Sequence, residues 1–238
     1  MYLLGIHDGH NASVALMKDG KIIDAVQEER FNKIKNFGGY PKESIKYILR
    51  KNSLDINKID EFVFASQISY YKGLENRENV LKKYKANFNS NFSLFHFFKK
   101  KLYRALPKYF TELSRKKRFH GISIIRSKKL MSEGVNSKKI SFIEHHLCHA
   151  SSAAYGSGNV EDTLVITLDS SGDYSSGSVN IFKKGSLEKI LDIPSDDSLG
   201  RLYSYVTYYL GMVPLEHEYK IMGLAPYSEN SNYSKEIS

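Results

Sequence analysis

The feature that most constrains the fold is a segment that occurs twice. "YLLGIHDGHNASVALMKDGKII" near the N-terminus and "LVITLDSSGDYSSGSVNIFKKGSLEKI" further on share one order: an apolar run, an acid, a polar glycine-bearing loop, a second run and a tight turn. Ser13 and Ser178, Val14 and Val179, Lys18 and Lys183, and Gly20 and Gly185 stand at one common offset of 165 residues. Only the loop differs, longer by four residues in the second copy. A strand–acidic loop–hairpin unit cannot bury its apolar face alone, so two copies predict a duplicated fold with two half-sites facing a cleft. Chance similarity between two β-hairpins is the plainer alternative.

The stretches around these copies read as alternating strands and helices. "PKESIKYILRKNSL" places Pro41 at a helix start and Ile45, Ile48 and Leu49 at helical spacing. "IDEFVFAS" and "KISFIEH" read as strands, "HLCHASSAAYGS" as a helix of small residues, and "SLGRLYSYVTYYLGM" as a helix ending at Gly211. The expected class is α/β, with mixed sheets flanked by helices. The expected division is a first half over 1–68, a basic aromatic helical insertion over 69–139, a motif-bearing helix and the start of a second half over 140–227, and a disordered tail over 228–238.

Charge is concentrated in one place. Residues 82–139 carry 17 Lys or Arg against two acids, Glu112 and Glu133, whereas the rest of the chain has 18 basic and 24 acidic residues. The formal net charge of +9 therefore belongs to one segment. Such a segment is either a solvated helical face or a surface for an anionic partner, such as a nucleotide, a sugar phosphate, nucleic acid or a membrane. The N-terminus has no basic region ahead of an apolar run, so it does not read as a signal peptide. One cysteine, Cys148, excludes an internal disulfide framework, and a cytoplasmic location is expected.

Three of the eight histidines fall in "EHHLCHASSAAYGSG", residues 144–158. On a helix, His145 and His149 stand one turn apart on one face, and two imidazoles so placed can bind one metal ion. His146 points about 100° away from that face and reads as structural, or as a contact to the metal ligands or substrate. Asp169 ends an apolar strand and adds a carboxylate, a ligand set that suits iron, zinc or manganese. Two ordinary readings stay open: surface or core histidines, and a plain turn acid. A ligating histidine usually donates its other nitrogen to an acceptor, and Glu144 and Asp173 are the nearby carboxylates. The loop after Asp169, "SSGDYSSGS", contains Ser171 and Gly172, whose amides could cradle a phosphate. In "HDGHNAS", Asp8, His10, Asn11 and Ser13 surround a turn at which Gly9 permits close approach, and a histidine there is a candidate base. Arg30 could hold a carboxylate or phosphate or lie on a solvated face, and Cys148 reads as packing.

Taken together, "GIHDGHNASVAL", "EERFNKIKNFGGYP", "EHHLCHASSAAYGS", "LDSSGD" and "EYKIMGLAPY" occur in the order seen in the O-carbamoyltransferases of antibiotic and nodulation-factor biosynthesis. The chain resembles that family from Met1 to about Tyr227. The resemblance implies an actin-like, duplicated ribonuclease-H-like domain, related to the tRNA threonylcarbamoyl transferases. It implies a second domain that makes carbamoyl-adenylate from carbamoyl phosphate and ATP. The first domain would pass the carbamoyl group to a substrate hydroxyl with the help of bound iron. By the same carry-over His145, His149 and Asp169 are metal ligands, and the loop bearing Asp8 and His10 faces the reacting carbamoyl, with His10 as base. Lys220 lies near the nucleotide or acceptor. The family's chains continue well past "MGLAPY" and supply a further aspartate, so this chain reads as C-terminally incomplete. Its expected partners are a hydroxyl-bearing small molecule, such as a saccharide, and the missing half of the enzyme or a split partner; nucleic acid is not expected. A tRNA-modifying transferase and a non-catalytic remnant are the competing readings.

Overall fold

The computed structural model describes residues 1–68, 82, 85, 108–158 and 161–227. The tail at 228–238 and most of the expected basic insertion, 69–107 apart from Lys82 and Lys85, lie outside the described residues. The first half opens as a meander of β1 (Tyr2–His7), β2 (Ser13–Lys18) and β3 (Lys21–Gln27), followed by the single turn α1 (Glu29–Asn32) and by α2 (Lys42–Lys51). β4 (Glu61–Phe64), α3 (Lys108–Met131) and β5 (Ile140–Phe142) complete it.

The strands form one sheet in the order β3-β2-β1-β4-β5. β2 is antiparallel to β1 and β3, while β1, β4 and β5 run parallel. A meander whose first strand then gains parallel neighbours is the ribonuclease-H-like half, so the expected fold class holds. Alternation decides the two faces. Leu4, Ile6, Val14, Leu16, Phe62 and Phe64 point to one face and are at most 2% exposed. There they pack with Ile45 and Ile48 of α2 and with Leu130 of α3. The other face carries the small residues Gly5, Ala15, Ala25 and Ala65, and it opens on a cavity of about 700 Å³.

The second half begins with α4 (His145–Gly156) and continues as a meander of β6 (Thr163–Gly172), β7 (Ser175–Lys183) and β8 (Ser186–Pro194). It forms a separate antiparallel sheet, β6-β7-β8. Helices α5 (Leu199–Tyr209) and α6 (Glu218–Leu224) come next. α4 lies on one face of this sheet, where Ala150 and Ala154 pack with Val165 and Phe182 as a second, smaller core. The small residues of α4 thus serve close packing of helix on sheet.

The duplication is therefore real in topology, with one correction to its alignment. Ile6 pairs with Val14 and His7 with Ser13, while Ile166 pairs with Val179 and Thr167 with Ser178. By register His7 corresponds to Thr167 and Asp8 to Leu168, so Asp169 is one residue beyond the counterpart of Asp8. The two acids that look equivalent in sequence consequently leave their strands on opposite faces.

Candidate metal centre and active site

α4 starts where Glu144 takes an extended conformation and its carboxylate accepts from the amides of His146 and Leu147 at 2.9 Å each. This N-cap fixes the first turn, and with it the direction of His145 and His149. Lys189 of β8 pairs with the same carboxylate at 3.1 Å. Asp173, at the tip of the β6–β7 hairpin, accepts from the His145 amide at 2.9 Å and from the amides of Gln67 and Ile68 at 2.7 Å each. Asp173 and Tyr174 both have positive φ, 48° and 72°, the backbone of a tight two-residue hairpin turn. Glu144 and Asp173 thus hold, through backbone amides, the segment that carries His145 and His149.

The expected ligands converge. His145 Nε2 is 2.8 Å from Asp169 Oδ2, His149 Nε2 is 3.0 Å from His145 Nε2, and His149 Nε2 is 3.5 Å from Asp169 Oδ2. One donor atom from each residue lies within 4.8 Å of the others. Metal–donor bonds of about 2.1 Å at right-angled to tetrahedral separations put neighbouring donors roughly 3.0–3.4 Å apart, so the cluster has the size of one ion's coordination shell. Gly172 supports the same conclusion. A Cβ there would lie 2.1 Å from Cδ2 of His145, so the imidazole occupies the space that any other residue's side chain would take. Without an ion, hydrogen bonds from His145 and His149 hold the Asp169 carboxyl well below the usual carboxylate range, and the bond to Asp169 raises His149 above an ordinary imidazole.

His146 is fully buried and bonds Thr167 Oγ1 at 3.0 Å, and Thr167 continues to Ser178 at 2.8 Å. Burial lowers its pKa. It belongs to a polar seam under α4 rather than to the ligand cluster. Cys148 is half-buried, and burial followed by the Glu144 and Asp173 carboxylates pushes its thiol up to about 12. A thiol so protonated is packing, not a nucleophile.

The "HDGHN" loop splits by strand face. His7 shares the cavity face, and its Nε2 donates to the His10 carbonyl at 2.9 Å. His10 has a buried Nε2 with no hydrogen-bond partner among the described residues. Burial lowers its pKa, opposed by the carboxylates of Glu216, Asp169 and Glu218. Asn11, at φ 61°, brings its amide to 3.1 Å from His10 Nδ1. With the amide nitrogen facing the ring, Nδ1 accepts and the proton resides on Nε2; with the amide turned, Nδ1 donates and Nε2 is a free base.

Asp8 points the other way, into the protein. It is 1% exposed and receives two bonds from the buried Arg126 of α3, at 2.8 and 2.6 Å. Arg126 also donates to the Ser66 carbonyl at 2.7 Å, and its guanidinium lies 4.5 Å over the Phe64 ring. Of the remaining predicted site residues, Ser13 and Arg30 line the cavity on the small-residue face, beside Cys148 and Ser152 of α4. Gly172 and Ser171 belong to the end of β6 rather than to a loose loop, and Ser171 accepts from Arg201 at 3.2 Å. Lys220 is exposed on α6, its ammonium 5.9 Å from the ring centre of Tyr219. Sequence reasoning missed Arg126, because one buried arginine in a strongly basic segment carries no local mark.

Among the described residues, no helix is long and apolar enough to cross a membrane. The Carbamoyltransferase N-terminus family matches the chain over residues 2–237. The nodulation protein NolNO of Sinorhizobium fredii is 31% identical over 220 residues, which cover 92% of this chain and 28% of that protein. An uncharacterized protein of Synechocystis, sll1178, is 32% identical over 224 residues, covering 92% of this chain and 33% of that one. The chain thus spans about a third or less of the length of these relatives. Among solved structures, YeaZ from Pseudomonas aeruginosa aligns at 10% identity and a TM-score of 0.37, covering 82% of this chain and 68% of its own.

Proposed function

This chain belongs to the Carbamoyltransferase N-terminus family, and from that premise we propose that it builds the transfer site of an ATP-dependent O-carbamoyltransferase. The donor in this reading is carbamoyl-adenylate, made from carbamoyl phosphate and ATP by a domain or partner outside these residues. The acceptor is a hydroxyl of a saccharide or a related natural product. The observation that carries the reading is the convergence of His145, His149 and Asp169 beside a loop whose His10 Nε2 is buried without a partner among the described residues.

The ligands of this site are two imidazoles and one carboxylate, and iron(II) is the ion we assign to them. A divalent ion held there supplies Lewis-acid polarisation of a carbonyl or phosphate oxygen. His10, with Asn11 turned to accept from Nδ1, takes the proton of the attacking hydroxyl at Nε2. The hydroxyl oxygen forms a bond to the carbamoyl carbon, the bond from that carbon to the phosphate oxygen breaks, and AMP leaves with the electron pair. Burial keeps His10 and His7 neutral near pH 7, which suits a base. Asp8 acts through Arg126, holding the strand end from which the His10 loop departs. Ser13 and Arg30, at the cavity, and Ser171 and Gly172, at the end of β6, are the groups we assign to the adenylate; Lys220 is assigned to the nucleotide or acceptor. The Phe-rich basic stretch from Phe88 to Phe119 is assigned to acceptor or membrane contacts, and the cytoplasm is where the reaction would take place.

The test supplies carbamoyl-adenylate directly to anaerobically purified, iron-loaded protein, reconstituted with the C-terminal part of a relative such as NolNO, with a panel of sugars and aminoglycosides. Acceptor-dependent release of AMP that is lost in His149→Ala and in His10→Ala supports the reading. AMP release unchanged in both variants rejects it.

A further inference from the structure

Helix α3 is held to the protein by one of its faces. Arg126 pairs with Asp8, Leu130 is buried in the main core, and Phe119 meets the Phe142 ring edge-on at 5.7 Å. At about 100° per residue these three side chains leave the helix within about 40° of one another. Nearer its start, the guanidinium groups of Arg115 and Arg118 lie 4.8 and 5.6 Å from the ring centre of Tyr174, at the tip of the β6–β7 hairpin. The orientation of α3 is therefore fixed, and so is the side it turns outward.

An outward side is ordinarily polar, and this one is not. Phe110, Leu113, Ile124 and Met131, with Lys117 and Lys128 between them, fall within about 60° of one another on the side opposite Arg126. The four apolar side chains are 57%, 40%, 41% and 47% exposed, and both lysines are exposed. The helix carries eight Lys or Arg against one acid, Glu112. A helix with a docked face and a second, exposed stripe of aliphatic and lysine side chains marks an interaction surface. The mixture selects the partner. Phosphates of a nucleic acid would attract the lysines but give the aliphatic groups nothing to enter. A bilayer containing anionic lipids takes both, phosphates for the cations and acyl chains for the apolar groups.

We propose that α3 lies along an anionic lipid surface, with Phe110, Leu113, Ile124 and Met131 at the acyl boundary and Lys117 and Lys128 among the lipid phosphates. The apolar positions form one stripe, so the helix rests on the bilayer rather than crossing it. The inference rests on the assignment of the basic stretch under Proposed function and narrows it to one partner. Vesicle binding needs neither donor nor acceptor, so it stands or falls separately from AMP release.

The full 238-residue chain is sedimented with vesicles of phosphatidylcholine containing about one third phosphatidylglycerol, and with vesicles of phosphatidylcholine alone. Binding to the anionic vesicles is expected to be about tenfold tighter or more, and to weaken as salt is raised. Leu113→Gln with Ile124→Gln weakens it about tenfold or more, as does Lys117→Gln with Lys128→Gln. Ile22→Gln, at an exposed site in β3, leaves it unchanged. The chain has no tryptophan, so Phe110→Trp gives a single reporter that brominated lipids quench, whereas Ile22→Trp is not quenched. Unaltered cobalt binding at His145 and His149 shows that each variant is folded. Absence of binding to the anionic vesicles, equal binding to both kinds, or binding indifferent to Leu113→Gln with Ile124→Gln overturns the proposal. So does retention of the chain on polyuridylate without vesicle binding, because a nucleic acid is then the anionic partner. A homodimer that Leu113→Gln with Ile124→Gln dissolves also overturns it, since a second copy then covers the stripe.

Discussion

Gly172 is a glycine because the imidazole of His145 fills the volume of its missing side chain. Nothing local in "LDSSGD" announces this, since the neighbour is 27 residues away in sequence and the same glycine suits a flexible loop. Gly172→Ala forces the ring to rotate away from Asp169, and metal affinity is expected to fall about 10- to 100-fold with the fold retained, measured by competition with a chromophoric chelator. The convergence of His145, His149 and Asp169 was legible in the sequence. A helical spacing of four and an acid at a strand end are patterns that local sequence carries. The metal-free triad also has a defined pH window. His149 is raised, so its contribution to stability is fully present below its unfolded value near 6.5 and disappears as pH rises through its folded value. Asp169 is lowered, so its contribution is present above 3.8 and lost as pH falls toward its folded value. The pair therefore stabilises the metal-free chain most between about pH 4 and 6.5. Unfolding midpoints of wild type and Asp169→Asn should differ most inside that window and approach one another on either side of it.

At the scale of elements, α3 is the piece that sequence reading left as an undivided basic insertion. It docks through Leu130 in the main core, through Phe119 edge-on to Phe142 at 5.7 Å, and through Arg126. Only the third is polar, and it is fully desolvated. Arg126→Met leaves the Asp8 carboxylate buried without its cation, and the expected cost is about 3–5 kcal/mol. Asp8→Leu combined with Arg126→Met should recover most of that loss, because the double variant removes both charges. Denaturant unfolding of the four-member cycle reads the coupling directly. The strands were read correctly because each alternates or runs apolar between turn residues. Their register was not, since sequence alone aligns Asp8 with Asp169 by their chemistry. Backbone pairing moves Asp169 one residue on, and a period of two then sends one acid to an arginine and the other to two histidines.

Across the whole molecule, the two halves have separate cores. One centres on Leu4, Leu16, Phe62 and Phe64, the other on Ala150, Ala154, Val165 and Phe182. All three candidate ligands belong to the second, with two on α4 and one on β6. Iron(II) or cobalt(II) should therefore stabilise the smaller core by about 2.7 kcal/mol at a hundredfold excess over Kd, and a chelator should reverse it. Amide exchange should report this protection at Val165 and Phe182 and leave Leu4 and Phe62 unchanged. Equal protection in both cores would mean that the halves unfold as one unit through Asp173, which ties the amides of Gln67 and Ile68 to that of His145. Duplication was legible from the 165-residue offset.

The buried arginine also sets a limit on how this protein can be recombined. In an exchange of part of the basic stretch for that of a relative, Asp8 stays behind and still needs its cation. A junction placed beyond Arg126 removes the one guanidinium that the first strand's acid requires, so viable crossovers fall on its N-terminal side or carry the arginine along.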